Sequence, residues 1–253
     1  MTMPRPAGSV TVTLGRAARR RLVSEAVHRG DSDELQAART QLVSYSARLL
    51  ADGLAIGSAG NISVRAGDLV AITPSGIGYH EMRPEDICLV ATDGTELANA
   101  ETPSTETPMH LAIYATCTRA SAVVHTHSPE VIALSASRSE LPAIHYAITA
   151  LGGPVRVAPY VRFGSDKLAA AAVGALSGRS AVILRNHGAV AYGRDLPQAY
   201  DGALLLEWLA RTYRMALSYG EPATLSAAEL DEVTAEARRR RYGERRGGGR
   251  SGR

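Results

Sequence analysis

The sequence predicts a single three-layer α/β/α domain with a mixed, largely antiparallel central sheet. Three observations carry that expectation. Short apolar strands and helices follow one another without the regular βα repeat of a parallel sheet. Hydrophobic residues make up 45% of the 253 positions, enough to build a substantial core. No internal repeat divides the chain.

Residues 1–30 read as a flexible, basic N-terminal extension, residues 31–246 as the folded domain, and residues 247–253 as a disordered Arg/Gly tail. Asp31 opens the first helix, with Glu34 three residues on as a capping box. Leu35, Leu42, Leu49 and Leu50 continue it at helical spacing, and Gly53 fits the stop. Short strands follow at Asn61–Arg65, Leu69–Ile72 and Ile87–Val90. They are separated by turn signals at Ala66-Gly67-Asp68, Pro74-Ser75-Gly76 and Asp93-Gly94. Thr107 and Pro108 fit an N-cap and first helical position, and His110–Thr116 carries that helix on. Ala122–Thr126 is an apolar strand that ends in histidines, and Pro129 starts another helix. Further strands read at Val155–Ala158, Ala181–Leu184 and Ala189–Ala191. Asp166 stands at a helix start. Leu196–Tyr219 is a long helix, and Ser226 begins the last one.

The formal net charge of +3 is concentrated at the two ends. Residues 238–253 hold eight arginines against one glutamate, and residues 1–30 hold six against one. The middle of the chain is therefore acidic. The basic tail reads as solvated or as an interface segment, and no specific nucleic-acid partner is expected. No apolar run approaches the roughly 18 residues of a membrane span, so no membrane partner is expected either. The N-terminus lacks the apolar core of a secretory signal. Cys88 and Cys117 read as two reduced thiols in a cytoplasmic protein.

The chemistry-bearing residues cluster in a few short stretches. His125 and His127 end the strand Ala122–Thr126. Side chains two apart on a strand share a face, so both imidazoles can reach one ion. His187 follows the strand Ala181–Leu184 and precedes Gly188. Three imidazoles with an open fourth position form the pattern of a catalytic zinc site. His-x-His alone also fits two polar residues closing a strand. His110 and His145 read as structural, or as supports behind the ligands. Glu106 places a carboxylate at a helix start, preceded by Ser104 and Thr105, where free N–H groups favour anions. Gly57-Ser58-Ala59-Gly60-Asn61 and Thr73-Pro74-Ser75-Gly76 combine small residues, hydroxyls, an amide and glycine. The three stretches together could hold a phosphate without lysine, although each singly also reads as an ordinary turn.

In this order, these motifs resemble the class II aldolase/adducin family. They are Ser58-Ala59-Gly60-Asn61-Ile62-Ser63-Val64-Arg65, Thr73-Pro74-Ser75-Gly76, Pro103-Ser104-Thr105-Glu106, Val123-Val124-His125-Thr126-His127, Ala143-Ile144-His145-Tyr146 and Asn186-His187-Gly188. The resemblance covers roughly residues 35–246. It implies one Zn2+ per subunit on His125, His127 and His187, with Glu106 as catalytic acid/base also able to approach the metal. It implies a substrate phosphate held by Ser58, Gly60, Asn61, Ser75, Gly76, Ser104 and Thr105. Tyr146 matches a family tyrosine near the active site. Tyr242 matches another that reaches the site of an adjacent subunit in a homotetramer. The implied reaction is cleavage of L-fuculose 1-phosphate, or a related deoxyketose 1-phosphate, to dihydroxyacetone phosphate and an aldehyde.

Other readings compete. A Schiff-base aldolase needs a nucleophilic lysine, and Lys167 is the sole lysine, placed at a helix start where a surface role suffices. The epimerase branch of the family resembles the chain in its zinc site. It carries Asp where this chain has Glu106, and an acid in the stretch where this chain has Ile144-His145-Tyr146-Ala147. Dehydratase and decarboxylase relatives share the zinc site. A non-enzymatic, adducin-like interaction module is the reading of a different class.

Overall fold

The computed structural model describes residues 33–97 and 100–240. Eight strands form one sheet in the order β3-β2-β1-β4-β8-β7-β6-β5. The strands are β1 (Asn61–Ala66), β2 (Leu69–Ile72), β3 (Cys88–Ala91), β4 (Ala122–Thr126), β5 (Glu140–Leu141), β6 (Val155–Ala158), β7 (Ala181–Leu184) and β8 (Gly188–Gly193). Neighbours pair antiparallel except β6 and β7, which run parallel. A parallel pair needs a crossover, and a helix between β6 and β7 supplies it. The helices are α1 (Asp33–Ala51), α2 (Thr107–Thr116), α3 (Pro129–Ser137), α4 (Asp166–Leu176), α5 (Leu196–Leu217) and α6 (Ala227–Arg239). The mixed, largely antiparallel sheet between helical layers is the expected single α/β domain.

Alternation along the strands separates two cores. Val124 and Ile62 face the layer formed by α1 and α5, packing with Leu42, Leu49, Leu206 and Leu209. Val123, Val182 and Val190 face α2 and α4, packing with Met109, Ile113, Leu168 and Ala172. α1 buries Leu35, Ala38, Leu42, Ser46 and Leu49, one stripe of a helical repeat. α5 starts at Asp195, whose carboxylate accepts the Gln198 N–H at 2.7 Å. α6 opens with a Ser226–Glu229 capping box. From mid-α5, the buried Glu207 carboxylate accepts the N–H groups of Glu130 and Val131 at 3.0 and 3.1 Å. That pins the start of α3 to α5 and meets two donors that a helix leaves open.

Several expectations shift. Glu106 is the N-cap of α2, Thr107 its first residue and Pro108 its second. β3 sits one residue later than expected, and β8 is longer at both ends. The two-residue β5 and the 3-10 turns Pro84–Asp86 and Tyr146–Leu151 were not foreseen. Both cysteines are free, Cys88 within β3 and Cys117 at the end of α2. The first helix's cap at Asp31, the basic N-terminal segment, Tyr242 and the Arg/Gly tail lie outside the described residues.

Candidate active site

Adjacent strands bring the site together at one end of the sheet. Asn61 on β1 is register partner to His125 on β4, and His125 is partner to Val190 on β8. His127 follows β4 and its N–H donates to the Leu54 carbonyl at 2.9 Å. His187 sits in the turn between β7 and β8, after Asn186 in the left-handed region at φ 54°. The strands meet here so closely that two glycines are required. A Cβ on Gly60 would lie 2.7 Å from the His125 carbonyl oxygen, and one on Gly188 would lie 2.0 Å from that of Thr126.

The three imidazoles converge. Ring centroids of His125, His127 and His187 are 4.8 to 4.9 Å apart in every pairing. His125 Nδ1–H donates to the Ala189 carbonyl at 2.9 Å, which aims Nε2 into the cluster. That Nε2 lies 3.0 Å from His127 Nε2 and 2.8 Å from Glu106 Oε2. Glu106 Oε1 lies 3.3 Å from His187 Nε2. Glu106 makes no capping hydrogen bond to its own helix. Its Oε1 is buried and has no hydrogen-bond partner among the described residues.

The electrostatics ask for a cation. Burial would raise the Glu106 carboxyl, but the neighbouring His125 and His187 and the Asn61 amide hold it well below the usual carboxylate range. Burial opposes charge on His125, yet the Glu106 carboxylate and the Ala189 carbonyl hold its pKa above the ordinary value. Burial and the neighbouring imidazoles push His127 down to about 3 and His187 to about 4. The cluster thus presents two imidazoles held neutral, His127 and His187, and a Glu106 carboxylate paired with His125, with donor atoms all within 4.8 Å of one another. Ligand atoms of four-coordinate zinc lie roughly 3.3 Å apart, from Zn–N distances near 2.0–2.1 Å. The donor set fits a divalent transition metal.

Above the cluster opens a cavity of about 350 Å³. All seven residues expected to hold phosphate line it: Ser58, Gly60, Asn61, Ser75, Gly76, Ser104 and Thr105. Glu106, His127 and His187 line it too. The loops are fastened to one another. The Tyr79 hydroxyl donates to the carbonyls of Gly60 at 2.6 Å and Ala59 at 3.0 Å. Ser75 N–H donates to the Thr102 carbonyl at 2.8 Å, and Ser104 N–H to that of Thr73 at 3.2 Å. Among the described residues, no lysine or arginine lines the cavity.

Three lining residues, Tyr160, Val161 and Phe163, fall outside every stretch singled out from sequence, and Ala59, Pro74 and Asn186 lie within such stretches but were given no role. The first three form an apolar wall, with Tyr160 64% and Phe163 60% exposed. The available signal was two aromatics in an irregular segment between β6 and α4. Tyr146 stands at the start of its 3-10 turn, 53% exposed and stacked on His145 at 4.4 Å. It is not among the residues lining the cavity of its own chain. His145 accepts the Ala147 N–H at Nδ1 at 3.1 Å.

Comparison with known proteins agrees with this geometry. Residues 40–214 match the family described as "Class II Aldolase and Adducin N-terminal domain". The chain is similar to 5-deoxy-D-ribulose 1-phosphate aldolase of Bacillus thuringiensis serovar kurstaki, 39% identical over 79% of this chain and 94% of the relative. It is also similar to 5-methylthioribulose-1-phosphate/5-deoxyribulose-1-phosphate aldolase of Rhodospirillum rubrum, 38% identical over 78% of this chain and 89% of that one. A solved structure of an L-fuculose 1-phosphate aldolase superposes with a TM-score of 0.77 at 35% identity, covering 79% of this chain and 96% of the other. The matched span contains most of both cores, the converging histidines and the loops around the cavity: the chain belongs to the class II aldolase and adducin family.

Proposed function

We propose that this class II aldolase, a carbon–carbon lyase, cleaves a 5- or 6-deoxyketose 1-phosphate to dihydroxyacetone phosphate and a methyl-terminated aldehyde, with zinc as its metal. The carrying observation is the convergence of three imidazoles and Glu106 on one wall of a cavity rimmed by the three small-residue loops. His125, His127 and His187 would hold the ion, with Glu106 beside them. A bound zinc ion supplies Lewis acidity toward negative charge developing next to the substrate carbonyl.

The chain's own residues do the rest. Ser75, Ser104 and Thr105, with the backbone at Gly60 and Gly76, bind the phosphate by neutral donors and orient C1 to C3 over Glu106. Breaking the C3–C4 bond leaves the electron pair on C3. Glu106 delivers a proton to that carbon, and removes it in the synthetic direction. The C4 hydroxyl loses its proton as the aldehyde carbonyl forms. Tyrosine hydroxyls, Tyr146 and Tyr242 of a neighbouring subunit in a homotetramer, exchange that proton. Tyr160, Val161 and Phe163 give the aldehyde end an apolar surface, which suits acetaldehyde from a 5-deoxypentulose or lactaldehyde from fuculose. The two free cysteines accord with a cytoplasmic setting.

The test is release of dihydroxyacetone phosphate from 5-deoxyribulose 1-phosphate, fuculose 1-phosphate and a fully hydroxylated ketose 1-phosphate. The two deoxyketoses should be cleaved, chelation should abolish turnover and zinc should restore it. Undiminished activity in metal-free protein, or cleavage of none of the three, would defeat the reading.

A further inference from the structure

Behind Glu106 runs a line of buried polar side chains that the proposed reaction does not use. Glu106, His110 and Tyr114 are spaced four apart along one face of α2, beginning at its N-cap. Asn61 and Ser63 are two apart on the facing side of β1. Four helical residues rise about 6 Å, and two strand residues rise about 6.6 Å, so the two rows interlock.

The hydrogens in this line have one consistent direction. Asn61 Oδ1 can only accept, so the 2.6 Å contact makes His110 Nε2 the donor. His110 is fully buried, and burial, reinforced by His125, pushes its pKa down to about 3, so the ring is neutral. Its Nδ1 then carries a lone pair and accepts the Ser63 hydroxyl at 2.7 Å. Having spent its hydrogen, Ser63 Oγ accepts from the Tyr114 hydroxyl, also at 2.7 Å. At the other end, the Asn61 amide nitrogen donates to Glu106 Oε2 at 3.0 Å.

We propose that Tyr114, Ser63, His110 and Asn61 form a positioning relay that fixes which carboxylate oxygen of Glu106 is free to exchange the substrate proton. The relay sets the His110 tautomer, and the tautomer sets the Asn61 amide. With its NH2 toward Glu106, Asn61 ties down Oε2 and leaves Oε1 for proton transfer. Break the line at Ser63 and the imidazole loses the donor that fixes its lone pair on Nδ1. Asn61 can then turn to donate to His110, presenting Oδ1 to the carboxylate as a second acceptor. The inference rests on Glu106 being the acid/base.

The experiment measures kcat, KM, metal content and melting temperature for His110→Phe, His110→Gln, Ser63→Ala and Tyr114→Phe, each also in a Glu106→Gln background. Groups that orient a site residue from behind typically cost about 10–100-fold in activity when removed. His110→Phe and Ser63→Ala should lose kcat in that range, with KM within about twofold and metal retained. His110→Gln should recover part of the loss, because its amide N–H reaches Asn61 Oδ1. Tyr114→Phe, which removes the last link, should lose least. None should lower turnover further in the Glu106→Gln background, since the relay acts through that carboxylate. Wild-type kcat in folded, metal-loaded His110→Phe and Ser63→Ala overturns the relay, as do equal losses with and without Glu106. Should His110→Phe not fold, Ser63→Ala and Tyr114→Phe decide the matter. Full turnover in Glu106→Gln alone removes the acid/base reading and the relay with it. A dead Glu106→Gln beside active relay variants removes the relay only.

Discussion

Glu106 sits at a helix N-cap and leaves the helix uncapped, its carboxylate turned instead toward three histidines. Glu106→Gln keeps the shape and removes the exchangeable proton. Its kcat should fall about 10²–10⁴-fold, the usual worth of a positioned acid/base, with substrate affinity little changed. A variant with wild-type turnover would take Glu106 out of the chemistry. Ser75 tests the anion loops more cleanly than Ser104, whose hydroxyl already accepts the Glu106 N–H at 3.2 Å. Hydrogen bonds to a charged group contribute about 1.5–3 kcal/mol. Ser75→Ala should therefore weaken a ketose phosphate by roughly 10–100-fold and leave the unphosphorylated ketose unaffected; equal losses on both would remove Ser75 from the phosphate site. At this scale the metal cluster was legible because a strand's period of two aims His125 and His127 at one point. His110 was legible as structural or as a support behind the ligands, but its partners were not. They lie 47 and 49 positions away on β1, a separation that no local pattern reveals.

β4 and β8 carry the cluster between them, and Gly188 is what lets them do so. A Cβ there would sit 2.0 Å from the Thr126 carbonyl oxygen, between the two strand histidines and next to His187. Gly188→Ala must push backbone against backbone, since no flexible side chain can give way. Overpacking of this kind costs typically 1–3 kcal/mol. The expected result is a lower denaturation midpoint together with reduced metal content and activity. Gly174→Ala, in α4 where nothing lies within 4 Å of the added Cβ, should keep its metal. Gly188→Ala with full metal content would show that the strands can part without disturbing the ligands. Element boundaries were readable where polarity changes abruptly: Ala122–Thr126, Val155–Ala158 and Ala181–Leu184 fall where the apolar runs predict. β5 escaped because two residues carry no period. The turn Tyr146–Leu151 escaped because a short run with Ile148 and Leu151 buried has no helical repeat to recognise.

At the scale of the whole molecule, the exposed aromatics argue for assembly. Tyr146 is 53% exposed and Trp208 47%, both packed on the His145 ring, and Tyr219 stands out almost fully. Patches that bring aromatic rings to the surface mark contact sites more often than solvated ones. Tyr146 does not line its own chain's cavity, so a role for its hydroxyl in the reaction requires a neighbour's cavity. The sequence implied as much for Tyr242 through family resemblance, since its Arg-rich surroundings are too polar for a core. A cyclic assembly gives each site one neighbour's tyrosines. The in-chain rival is Tyr160, which lines the cavity and carries the same hydroxyl. Co-expression separates the two. One chain carries Tyr146→Phe and Tyr242→Phe, and the other carries Glu106→Gln. Each homo-oligomer should be nearly inactive. If the tyrosines act across the interface, a mixed ring joins an intact Glu106 to a neighbour's intact tyrosines at about a quarter of its sites, and activity should return to that fraction. If they act within their own chain, every site in the mixture lacks one partner and no activity returns. If the in-chain Tyr160 supplies the hydroxyl instead, the chain carrying Tyr146→Phe and Tyr242→Phe should keep its turnover without a partner, and Tyr160→Phe alone should lose it. A monomeric protein with full turnover would end the argument for shared sites altogether.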